Sequence, residues 1–106
     1  MSPTSAPKRF TELQQQYPEL FKAAEALGQA AREAGPLEAK VTQLVQLGAA
    51  CALRSEGGVH SHVRRAREAG ATPDEIYHAI VALTSTIGFP TMVAAVTWAD
   101  DILRKD

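Results

Sequence analysis

At 106 residues the chain suits a single domain, but one so small that folding hides only roughly 60 to 65% of the surface the unfolded chain exposes, so self-assembly is a natural supplement. A hydrophobic share of 45%, a charged share of 22% and a formal net charge of -1 are ordinary for a globular domain and remove any general attraction to nucleic acid or an anionic membrane. Cys51 is the single cysteine, so no disulfide forms within the chain, and no run of about 18 apolar residues exists to span a bilayer; a reducing, cytoplasmic setting is the default expectation.

The first nine residues hold two prolines and several small polar side chains. They show no apolar stretch ahead of a small-residue cleavage site, so they read as a loose tail rather than a secretory signal. Residues 10–106 are then the domain. From Phe10 onward there is no lasting alternation of period two, and the expected class is all-α, with about five helices. The first is expected over residues 11–34, with a break near Tyr17-Pro18, because proline disfavours helical geometry in the residue before it. Leu20, Phe21, Ala24, Leu27 and Ala31 fall at spacings of three and four and form its apolar stripe. Gly35-Pro36 stops it.

A second helix is expected over residues 37–53, with Leu37, Val41, Leu44, Val45, Gly48 and Ala52 on one face. Its small residues Gly48, Ala49, Ala50 and Ala52 permit close approach of another helix. The third opens near Gly57 or Gly58 and ends at Gly70, a natural left-handed terminator. Thr72-Pro73-Asp74-Glu75 is the clearest local signal: a threonine N-cap, a proline at the first helical position, acids in the first turn and the glutamate of a capping box. That fourth helix turns Ile76, Ala79, Ile80, Leu83 and Ile87 inward and ends at Gly88. Phe89-Pro90 begins the last, which runs through Met92, Val93, Val96, Ala99, Ile102 and Leu103. On it, Phe89, Met92 and Trp98 read as core or subunit interface rather than a stacking platform.

The chemistry-bearing residues concentrate in the third helix and its approach. His60 and His62 lie about 200° apart around a helix axis and cannot chelate one ion from it. A metal site would need His78 or a carboxylate to converge from elsewhere, so no metal is expected. Ser55 stands where an N-cap belongs, and Gly57-Gly58 suits a tight turn, since no strand precedes it to make a phosphate loop. Arg54, Arg64, Arg65 and Arg67 form a basic face of the kind that is usually solvated.

The segment His62-Val63-Arg64-Arg65-Ala66-Arg67-Glu68-Ala69-Gly70-Ala71-Thr72-Pro73-Asp74-Glu75-Ile76 resembles the superfamily of carboxymuconolactone decarboxylases and alkylhydroperoxidase D proteins, over residues 37–97. The resemblance implies a helical, homo-oligomeric protein, a trimer or a hexamer built as a trimer of dimers. In the superfamily a glutamate precedes a Cys-x-x-Cys pair by twelve residues, and a histidine follows the second cysteine by four. Here the histidine is His62, while Gln43, Ser55 and Gly58 occupy the glutamate and the two cysteine positions. Thiol peroxidase chemistry needs both thiols, and Cys51, one turn before Ser55, reads as a small buried hydrophobe. The decarboxylase branch dispenses with the cysteines and keeps the histidine. It implies a cofactor-free small-molecule lyase with His62 as general acid or base, Gln43 and Ser55 beside it, and His60 and Gly58 toward a small-molecule ligand. The alternative is a non-catalytic binding or assembly module that retains the fold.

Overall fold

The computed structural model describes residues 7–104, and every regular element among them is a helix. In chain order these are α1 (Lys8–Gln16), α2 (Pro18–Glu33), α3 (Ala39–Ala52), α4 (Glu56–Glu68), α5 (Pro73–Val81), α6 (Thr84–Ile87) and α7 (Phe89–Leu103). Two of the five expected helices are each divided, which makes seven. The tail expected over residues 1–9 falls at residues 1–6 outside the described residues, and α1 begins at Lys8. None of the described helices is long and apolar enough to cross a membrane.

The chain divides into two units, one ending at Glu38 and one beginning at Ala39. In the first, α1 and α2 follow one another across a break at Tyr17, whose φ of -127° and ψ of 61° reflect the proline that follows. Phe10 and Phe21 meet edge to face with centroids 5.2 Å apart, a favoured aromatic geometry. The stripe expected on α2 is not buried: Leu20 is 64% and Leu27 73% exposed. Two helices alone offer each other too little surface to close over a whole stripe.

The second unit holds the core. Leu47, Cys51, Val59, Val63, Ala66, Ile76, Ile80, Ala95 and Ala99 are fully or almost fully buried, drawn from α3, α4, α5 and α7. On α3 the inward face corrects the sequence expectation, since Gln43, Leu47, Ala50 and Cys51 point inward while Val41 and Val45 are exposed and Leu37, ahead of the helix, is exposed too. Apolar residues surround α3 on nearly all sides, so periodicity alone leaves its rotation undetermined. The small side chains of its last turn let α4 in close, since a Cβ built at Gly58 would stand 3.1 Å from Ala50 Cβ.

The expected continuous helix from Thr72 to Ile87 breaks at Ala82 and Leu83. Thr84 Oγ1 donates to the Val81 carbonyl at 2.6 Å, taking an acceptor that the next helical turn would use. Ile76 and Ile80 remain fully buried, and Leu83 and Ile87 pack against the core's edge. Gly88 then adopts φ +93°, a conformation open to glycine, and α7 starts at once. Met92 is buried and Trp98 partly so against the core, whereas Phe89 is 64% exposed.

Candidate functional site

The turn between α3 and α4 sets the site. Ser55 N donates to Ala50 O and Arg54 N to Cys51 O, both at 3.0 Å, the paired bonds of a Schellman motif ending α3. Glycine usually fills its left-handed position. Here Arg54 fills it, with φ +54°, and its guanidinium donates to Thr91 Oγ1 on α7 at 2.9 Å. The next residue already caps α4: Ser55 Oγ accepts from Gly58 N at 3.0 Å. Ser55 thus closes the C-terminal motif of α3 with its N–H and caps α4 with its side chain, which fixes how α4 leaves the turn.

Gly58 closes this turn. A Cβ there would meet Ser55 Oγ at 2.8 Å and Ser55 Cβ at 3.2 Å as well as Ala50. Ser55 and Gly58 are thus engaged with each other as cap and capped. At the far end of α4, Gly70 takes φ +99°, and the bonds Ala71 N to Ala66 O at 2.9 Å and Gly70 N to Arg67 O at 3.0 Å form a second Schellman motif. Arg67 Nη1 also donates to Ala71 O at 3.1 Å.

Between these fixed ends, alternate positions of α4 face different helices. His62, partly buried, faces α3, where its Nδ1 lies 3.0 Å from Oε1 of Gln43. Gln43 is 6% exposed, the one buried polar side chain among the described residues. An amide oxygen only accepts, so Nδ1 carries a proton. His60 faces α7, and its Nε2 lies 2.8 Å from Asp101 Oδ2. The sequence-derived residues therefore fall into three groups: His62 with Gln43, Ser55 with Gly58, and His60 with Asp101. His78 lies exposed on α5.

Cys51 is completely buried, and burial pushes its thiol up to about 11, with a backbone hydrogen bond opposing in part. A thiol held neutral in this way is a poor nucleophile at ordinary pH.

Asp101 and Asp100 had no place in the sequence reading. Asp100 Oδ1 accepts from Tyr77 OH at 2.5 Å, tying α7 to α5, while Asp101 reaches α4. Their adjacency near the C-terminal end of an apolar helix was visible in the sequence, but which neighbours they would meet was not.

The model of the carboxymuconolactone decarboxylase family matches residues 18–101. A protein of Haemophilus influenzae named only as uncharacterised is 41% identical over 59 residues, 56% of this chain and 52% of that one. The match thus spans about half the length of that relative. No solved structure matches the chain. With the family match running from the start of α2 to near the end of α7, the chain belongs to the carboxymuconolactone decarboxylase family.

Proposed function

We propose that the protein is a cofactor-free lyase acting on a small carboxylated molecule, in which His62 is the general acid or base and Gln43 positions it. The observation that supports this reading is the hydrogen bond from His62 Nδ1 to a buried amide oxygen. It holds the ring in one orientation and one tautomer, as a proton-transfer residue requires. In a decarboxylation the bond to the carboxylate carbon breaks, carbon dioxide departs, and the electron pair passes into an enolate. His62, having taken a proton from water on Nε2, then delivers it to the enolate carbon, and the Nδ1 proton stays hydrogen-bonded to Gln43 Oε1 throughout. Gln43 neither takes up nor gives up a proton near neutral pH, so the exchange rests on His62 alone. Ser55 acts in this scheme through the turn that sets the direction of α4, and Gly58 through the close approach it permits.

Thiol peroxidase activity does not fit these residues. It requires a thiolate and a second thiol to resolve the sulfenic acid, and Cys51 is single, buried and held neutral.

We also propose a homo-oligomer, a trimer or a hexamer. Val45, Leu53 and Phe89, each more than half exposed on the second unit, supply apolar surface for self-association. Light scattering behind a sizing column measures the assembly directly, and a monomer at micromolar concentration would exclude it.

The activity is tested with a panel of small carboxylated lactones and keto acids, followed by thermal shift and by carbon dioxide release. The expected result is turnover of at least one member that falls at least 100-fold in His62→Ala while that variant keeps its fold by circular dichroism. Turnover unchanged in His62→Ala would remove His62 from the chemistry, and no binding and no turnover across the panel would leave instead a module that retains the fold without catalysis.

A further inference from the structure

We propose that Glu56, His60 and Asp101 form a binding site for one divalent transition-metal ion, of which zinc is the representative. Glu56 and His60 are four apart on α4, so their side chains lie one above the other on one face. Asp101 reaches the same point from α7. One ligand atom from each of the three lies within 4.8 Å of the other two, and His60 Nε2 and Asp101 Oδ2 are already 2.8 Å apart. Zinc binds imidazole nitrogen and carboxylate oxygen at about 2.0 to 2.2 Å, which places neighbouring ligand atoms of a tetrahedral site about 3.4 Å apart. Small side-chain rotations reach that spacing: the ion parts the His60–Asp101 contact by a few tenths of an ångström, and Glu56 swings in from the exposed first turn.

The charge and chemistry of the set favour such an ion. Two carboxylates this close repel each other, and a divalent cation held between them offsets both charges. A divalent cation brings the two carboxylates and the neutral ring to zero net charge. One nitrogen with two oxygens suits zinc, cobalt or nickel better than magnesium, which holds to all-oxygen coordination with most of its water. The His60 side chain is 21% and the Asp101 side chain 45% exposed, so the ion has access, and water completes its coordination. The spacing of the two histidines predicts no metal because they diverge; the ligands that join His60 come from one turn earlier on α4 and from a helix some forty residues on. The site is separate from the His62–Gln43 pair and does not depend on the lyase reading.

The test uses the full chain, stripped with a chelator and titrated with zinc by calorimetry, with cobalt(II) absorption as a second readout of the ligand set. Binding of one zinc per chain is expected, weakened at least ten-fold in each of His60→Ala, Asp101→Asn and Glu56→Gln and unchanged in His78→Ala. Asp101→Asn and Glu56→Gln are near-isosteric changes at exposed positions, so the outcome does not hang on whether His60→Ala folds. The absence of saturable zinc binding overturns the proposal. So does binding that survives all three substitutions.

Discussion

His62 Nδ1 stands 3.0 Å from Gln43 Oε1 across the α3–α4 pair, so a buried amide oxygen determines which imidazole nitrogen holds the proton. Gln43→Leu keeps the approximate volume and withdraws that acceptor from a partly buried N–H. The expected cost is about 1 to 3 kcal/mol of stability, with loss of the single Nδ1-protonated tautomer. Long-range nitrogen–proton correlation spectra of the labelled ring check this. A wild-type ring found mainly in the Nε2-protonated form would contradict the assignment.

Ser55 and Gly58 are coupled through the N-cap. Gly58→Ala adds a Cβ that collides with Ser55 Oγ at 2.8 Å and presses on Ala50, so the cap must open. Loss of the cap costs about 1 kcal/mol, and the contact with Ala50 adds strain that offsets alanine's better helix propensity. In a Ser55→Ala background the hydroxyl is already gone, and the same Gly58→Ala substitution is expected to cost about 1 kcal/mol less. Denaturant titration of the four-member cycle measures the coupling. Additive effects would mean that the hydroxyl plays no part in excluding a side chain at position 58.

These two pairs mark how much was legible in the sequence. The caps at Ser55, Gly70 and Thr72 are local chemistry, resolved within four residues, and each appears where its residues place it. Gln43 with His62 was legible through family spacing, nineteen residues apart. What periodicity could not supply was the rotation of a helix apolar on most sides, which is why α3 buries Leu47 and Cys51 rather than Val41 and Val45. Nor could it supply contacts between distant helices: the meeting of His60 with Asp101 depends on how α7 crosses α4, and no local signal encodes that.

Arg54 holds a left-handed backbone, φ +54°, at the C-terminal turn of α3. For a residue with a Cβ this conformation costs roughly 1 to 2 kcal/mol. Arg54→Ala loses the hydrogen bond to Thr91 and keeps the strain. Arg54→Gly loses the same bond and relieves the strain, against some added freedom of the unfolded chain. Arg54→Gly is therefore expected to be more stable than Arg54→Ala by about 1 kcal/mol. Equal melting temperatures would show that the turn bears no strain.

Two groups, one at each end of the scale, contribute to the pH dependence of stability. Glu75 is held below the usual carboxylate range by the Thr72 backbone N–H and then by Lys40, with Thr72 N donating to Glu75 Oε1 at 2.9 Å and Lys40 Nζ at 3.1 Å. A depressed folded value means that its contribution is present above the ordinary carboxyl range and is lost as pH falls through the folded value. Glu75→Gln should flatten that acid limb. At the other end, Cys51 is raised from 9.0 to about 11, so the folded state holds a proton that the unfolded state releases first. Its contribution is complete below pH 9 and declines as pH rises toward 11, by roughly 2 to 3 kcal/mol at most. Cys51→Ala should remove that alkaline slope while lowering stability at neutral pH through the cavity it leaves. Denaturant melts across the range read both limbs, and an alkaline slope that persists in Cys51→Ala would assign it to another group. The same burial makes iodoacetamide labelling of the native protein at neutral pH at least 100-fold slower than that of the unfolded chain, because the thiol reacts only when the core opens.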